Sequence, residues 1–160
     1  MQKITPCLWF DNQAEEAVNY YLSLFNHAKI TRITHYDKAS AEVSGQPEGS
    51  VMTVAFELDG NEFLALNGGP NFRFTEAISL MVDCRDQDEV DRMWAGLSAG
   101  GEEVQCGWLK DRYGLSWQVV PTILDELLNN PDPEKAGRVM QAFLQMKKID
   151  IAELQRAAAG

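Results

Sequence analysis

Residues 4–30 read ITPCLWFDNQAEEAVNYYLSLFNHAKI, and residues 77–104 read AISLMVDCRDQDEVDRMWAGLSAGGEEV. Both run strand, capped helix, strand. In the first, Leu8 and Phe10 share one strand face while Thr5, Cys7 and Trp9 share the other. Ala14, Ala17, Val18, Tyr21, Leu22 and Phe25 then recur at helical spacing, with Asn12 and Glu15 set as a capping box. In the second, Ile78, Leu80 and Val82 alternate with Ala77, Ser79 and Met81. Asp86 and Glu89 repeat the box, Val90, Met93, Trp94 and Leu97 form the helical stripe, and Gly100-Gly101 ends the helix. One pattern twice in a single chain predicts paired modules.

Working outward, residues 51–58 and 62–67 read as strands joined by a hairpin turn at Asp59-Gly60. Residues 38–50, KASAEVSGQPEGS, are small and polar, and are expected to form a long mobile loop, a candidate lid. Residues 102–108, 108–111 and 115–121 supply closing strands, with Tyr113-Gly114 as a turn. Beyond 121 the repeat stops. Three short helices are predicted there, opened by Thr122 or Asp125, by Asp132-Pro133-Glu134, and by Asp150 with Glu153. Val139, Met140, Phe143 and Leu144 form the middle helix's apolar stripe. That surface must dock on its own sheet or on a second subunit. The expected layout is one domain over residues 1–160: module one at about 3–67, a linker at 68–76, module two at about 77–121 and a helical tail at 122–160.

Composition narrows the function classes. The chain has 160 residues, 45% of them hydrophobic, and a formal net charge of −10. An acidic protein with no basic cluster beyond Lys147-Lys148 is not expected to bind nucleic acid or an anionic membrane. No apolar run reaches the length of a membrane span, and the N-terminus turns polar too early for a secretory signal. Three widely spaced cysteines, Cys7, Cys84 and Cys106, do not form a disulfide framework. A cytoplasmic location is expected.

Chemistry is sparse. His27 and His35 are the only histidines, too few for a recognisable metal motif. Asn67-Gly68-Gly69-Pro70 follows a strand but precedes no helix, so it lacks the geometry that cradles a cofactor phosphate. Cys84 lies beside Arg85 at a helix start, where a thiolate is favoured, yet cysteine is more often a small buried apolar residue. Trp9 and Trp108 fall in strands, where aromatics either line a ligand site or pack a core. No pair of carboxylates converges in sequence, so no catalytic residue is assigned.

The segments LWFDNQAEEAVNYYLSLF (8–25), FELDGNEFLALNGGP (56–70), CGWLKDRYGLSWQVVP (106–121) and PDPEKAGRVMQAFLQMKKIDIAEL (131–154) resemble the PhnB-like branch of the vicinal-oxygen-chelate superfamily. That superfamily includes glyoxalases, bleomycin-resistance proteins and extradiol dioxygenases. The branch often carries the label 3-demethylubiquinone-9 3-methyltransferase, and the resemblance runs over about residues 3–156. It implies an α+β fold: two βαβββ modules forming a curved mixed sheet with a cleft, here with a helical tail, commonly as a homodimer.

Metal-using relatives place His or Glu on the first and last strands of each module. Those positions fall here near Thr5 or Pro6, near Asn67, near Ala77 beside Glu76, and on Gln118. Neutral amides and hydroxyls are poor ligands for a divalent cation, so no metal and no cofactor are expected. The expected ligand-binding set is Thr5, Cys7, Trp9, Asn67, Ser79, Trp108 and Gln118, and the expected function is metal-independent binding of a small molecule. The alternatives are an enzyme, either a metal-dependent lyase or isomerase or an S-adenosylmethionine-dependent methyltransferase, and a structural module with a filled cleft.

Overall fold

The structure, a computed structural model, describes residues 2–160. The chain forms two compact units, one up to Phe74 and one from Thr75 to Gly160. The first contains β1 (Cys7–Phe10), α1 (Ala14–Leu24), β2 (Lys29–His35), α2 (Lys38–Ser44), β3 (Val51–Leu58) and β4 (Asn61–Asn67). The second contains β5 (Ser79–Cys84), α3 (Gln87–Ser98), β6 (Glu102–Glu103), β7 (Trp108–Lys110), β8 (Ser116–Pro121), α4 (Ile123–Leu128), α5 (Pro133–Leu144) and α6 (Ile151–Ala159). Each unit carries a four-stranded mixed sheet, ordered β1-β4-β3-β2 and β5-β8-β7-β6. In both, the first strand runs parallel to the last and the other pairs are antiparallel. The repeat seen in the sequence is therefore a repeat of topology.

Apolar stripes decide which face each helix covers. Ala14, Ala17, Val18 and Tyr21 of α1 are buried, as are Leu8, Phe10, Val54, Phe56 and Ala65 of the first sheet, and α1 packs on β3 and β4. Val90, Met93, Trp94 and Leu97 of α3 are buried together with Cys84, Leu109, Trp117 and Val119. Burying each large apolar side chain is worth about 1.5–3 kcal/mol. The Asp59-Gly60 turn forms as expected, with φ of 47° and 81°, the left-handed pair that a two-residue hairpin requires.

Several local expectations are corrected. The Asn12–Glu15 box does not form: α1 begins after Gln13 with no side-chain cap of its own. Instead the Ala14 N–H donates to Asn67 Oδ1 at 2.8 Å, so the cap comes from another strand. Asp86 does cap α3 through the Glu89 N–H, while the Glu89 carboxylate accepts from the Arg85 N–H one residue further out. Thr122 makes no side-chain cap at α4.

The expected loop at 38–50 contains α2. Its Asp37–Ser40 capping box and left-handed Gly45 supply a helix start and stop, and Tyr36 closes the segment by bonding Ser50 and Gly49. On α5, Val139 is buried but Met140 and Leu144 are 40% and 54% exposed, so half of the expected stripe faces outward.

The tail docks within the second unit. Leu124, Val139, Met146, Ile149 and Leu154 form its core, with Val120 and Phe143 packed against them. Strand β6 is shorter than expected because the backbone of 106–107 serves the tail instead. The Cys106 N–H donates to Met146 O and the Gly107 N–H to Lys147 O. A Cβ on Gly107 would lie 2.9 Å from both Ile149 and the Val119 carbonyl, at a φ of +81°, so only glycine fits there. Gln87 holds the same segment, donating to Ile149 O and accepting from the Ile151 N–H.

Candidate functional site

Side-chain parity on the second sheet selects the site. Trp117 and Val119 of β8 are buried on the α3 side. Ser116 and Gln118 alternate with them and therefore point the other way. Strand register extends that face into two rows: Ser79, Ser116 and Lys110, then Met81, Gln118 and Trp108. Gln118 Nε2 donates to Ser79 Oγ at 2.9 Å. Lys110 pairs with Glu76, which lies just ahead of β5. That hydrogen bond holds the Glu76 carboxyl below its ordinary range and pushes the Lys110 ammonium above its own. Ser116 is buried, and its hydroxyl has no partner among the described residues.

The expected residues of the first unit separate onto two faces. Cys7 and Trp9 lie in register with Leu64 and Leu66, on the face away from α1. Thr5 is exposed and precedes β1. Asn67 pairs with Phe10 and therefore turns toward α1. Beyond capping Ala14, it donates from Nδ2 to Val51 O at 3.1 Å, and its carbonyl accepts the Tyr36 hydroxyl at 2.5 Å. Its side chain is structural and does not share a face with Cys7 and Trp9.

Trp9 is also held in place. Its indole N–H donates to Gly69 O at 2.9 Å, and its ring meets Phe72 edge-on with centroids 4.9 Å apart. A Cβ on Gly68 would fall 2.3 Å from that ring.

The Asn67–Pro70 loop thus closes on Trp9, with Gly68 against its ring and Gly69 on its indole N–H. The implied metal does not fit. Asn67 faces α1, Gln118 is an amide bonded to Ser79, and no three His, Cys, Asp or Glu side chains converge among the described residues. Cys84 is also unsuited to nucleophilic attack, since burial first, then the Glu89 and Asp83 carboxylates, push its thiol up to about 12. Partial desolvation raises Cys7.

Three participants were not singled out in the sequence: Ser116, Lys110 and the pairing role of Glu76. The signal for Ser116 and Lys110 is strand period alone, because each stands two residues from a selected position. The second unit also has a hollow of about 370 Å³ where α3 and α6 begin, lined by Arg85, Gln87, Ile123 and Gln155 among others. None of the expected site residues lines it.

Residues 2–120 match the profile of the family described as 3-demethylubiquinone-9 3-methyltransferase. The match ends with β8, whereas the resemblance read from the sequence continues through the tail. A PhnB protein of known structure from Bacillus cereus, which bears the same methyltransferase label, is 37% identical over 76% of this chain and 100% of that one, with a TM-score of 0.67. A protein from Pseudomonas aeruginosa is 18% identical over 76% of this chain and 98% of its own, with a TM-score of 0.61. The fosfomycin resistance protein FosX from Listeria monocytogenes is 16% identical over 81% and 98%, with a TM-score of 0.53. These last two share the fold. No curated protein matches the chain.

Proposed function

We propose that this chain, which belongs to the 3-demethylubiquinone-9 3-methyltransferase family of the vicinal-oxygen-chelate superfamily, holds a small organic molecule on the second sheet's face turned away from α3, without a metal ion. The hydrogen bond from Gln118 to Ser79 carries the reading. It sets a neutral amide, Gln118, at a place where the family resemblance puts a charged metal ligand, and ties that amide to a hydroxyl. Fixed polar groups beside apolar surface are the usual make-up of a small-molecule site. Here Gln118 and Ser79 supply the polar groups, and Met81 and Trp108 supply the surface.

On this reading the protein positions a ligand by hydrogen bonds and apolar contact, and the methyltransferase label is a family name. Thr5, Cys7 and Trp9 are proposed as ligand contacts within the first unit, taken by itself. For Trp9 the contribution would come from its ring, since its N–H already bonds Gly69. We take the protein as a cytoplasmic homodimer, a common state in its superfamily, and sedimentation equilibrium tests the dimer. No helix among the described residues is long and apolar enough to cross a membrane.

Calorimetric screening of metabolite pools with chelator present tests the function. Binding should survive the chelator and weaken about tenfold in Gln118→Ala, the loss of one or two hydrogen bonds. Undiminished binding in that variant contradicts the location. Stoichiometric metal in protein purified without chelator contradicts the mechanism, and saturable S-adenosylmethionine binding would restore methyl transfer.

A further inference from the structure

We infer that the molecule held on this face carries a carboxylate, read by Ser116, Ser79 and Lys110, with an apolar or aromatic body lying on Met81 and Trp108. The inference rests on the proposed function and names the ligand's chemical class. Its basis is an excess of donors. Gln118 Nε2 donates to Ser79 Oγ, which leaves the Ser79 proton free to donate elsewhere. The Ser116 hydroxyl is buried, with only 1% of the residue exposed, and has no partner among the described residues. A buried polar group without a partner is the exception in folded proteins and calls for an explanation.

Lys110 brings three protons, of which one serves Glu76. These three donors occupy one register row across β5, β8 and β7, and neighbouring strands lie about 4.8 Å apart. A group that satisfies adjacent donors on neighbouring strands needs two acceptor oxygens a short distance apart. A carboxylate has them, and its bonds to an ammonium are charge-assisted.

Glu76 shows that the row accepts such a group. Its carboxylate already bonds Lys110, yet its side chain is 60% exposed and it lies outside the sheet, ahead of β5. A ligand carboxylate would take its place on the ammonium and add the two serine hydroxyls. Glu76 is therefore a competitor within the chain. The next row supplies the rest of the site. Met81 is 60% exposed and Trp108 is half-buried, a sulfur and an indole suited to a flat apolar body.

Titration of the full chain with benzoate and, separately, with benzamide tests the proposal, followed through the Gln118 side-chain amide signals. The two probes share a shape and differ in charge. Benzoate should bind about tenfold more tightly than benzamide, as a charge-assisted contact requires. Glu76→Gln should strengthen benzoate binding by removing the competitor. Lys110→Gln should abolish the preference by weakening benzoate far more than benzamide, which keeps only the neutral part of the contact.

Equal binding of both probes to the wild type overturns the carboxylate and leaves a ligand site on this face standing. A preference that persists in Lys110→Gln overturns the assignment of residues. If neither probe moves the Gln118 signals, the proposal fails, and the metabolite screen decides the wider reading.

Discussion

Asn67 joins three pieces of backbone through one residue: it caps α1, ties to Val51 and receives Tyr36. Asn67→Ala should therefore cost about 2 kcal/mol, a lost cap at Ala14 plus a Val51 carbonyl left without its donor, with little effect on ligand binding. Asn67→Asp, which keeps the acceptor for Ala14, should cost less. Urea unfolding of the three proteins measures both. Gly68→Ala should be worse tolerated than an ordinary surface change, by about 1–3 kcal/mol, because the new methyl meets the Trp9 ring. A change in tryptophan emission would accompany it.

These residues mark where sequence reading stops. Asn67 looks like a site residue because it ends a strand at a position that binds metal in relatives. Its true orientation depends on register with Phe10, which no local pattern contains. Gln118 was singled out only through the family resemblance, whereas Ser79 stood out by alternating with Ile78 and Leu80.

At the scale of elements, the helices with apolar stripes were readable and the one without was not. Helix α2 buries none of its residues, so KASAEVS has no periodic stripe to signal it. Its only support is local, the Asp37–Ser40 box and Gly45. Hydrogen bonds from the Ser40 side chain, then its backbone N–H, hold the Asp37 carboxyl below the usual range. A depressed carboxyl stabilises the folded form above its ordinary pKa and ceases to do so as pH falls through its lowered value. The α2 amides should thus lose protection below the ordinary aspartate pKa of 3.8, ahead of α1, and proton NMR against pH would show it. A simultaneous loss in both helices contradicts local capping. In the tail, Ile149 is fully buried beside Gly107, so Ile149→Ala should cost about 2–5 kcal/mol. Global stability in denaturant measures that.

At the scale of the whole chain, the paired topology was legible because each module repeats one hydrophobic pattern. The tail's helices were legible from Asp132-Pro133 and Asp150, but its docking place was not. That place is set by backbone bonds to Cys106 and Gly107 and by Gln87, contacts between segments about 40 residues or more apart in sequence. Although the family match stops at residue 120, a chain ending at Pro121 should lose cooperative unfolding of the second unit, since Val120 and Gly107 would lose their partners.

Gln118 and its row are proposed to hold an organic molecule directly. Native mass spectrometry of protein taken straight from cells into chelator tests this most directly. A retained small organic mass in the wild type, absent from Gln118→Ala, is the predicted result. A retained metal mass, or an organic mass undiminished in Gln118→Ala, would contradict it.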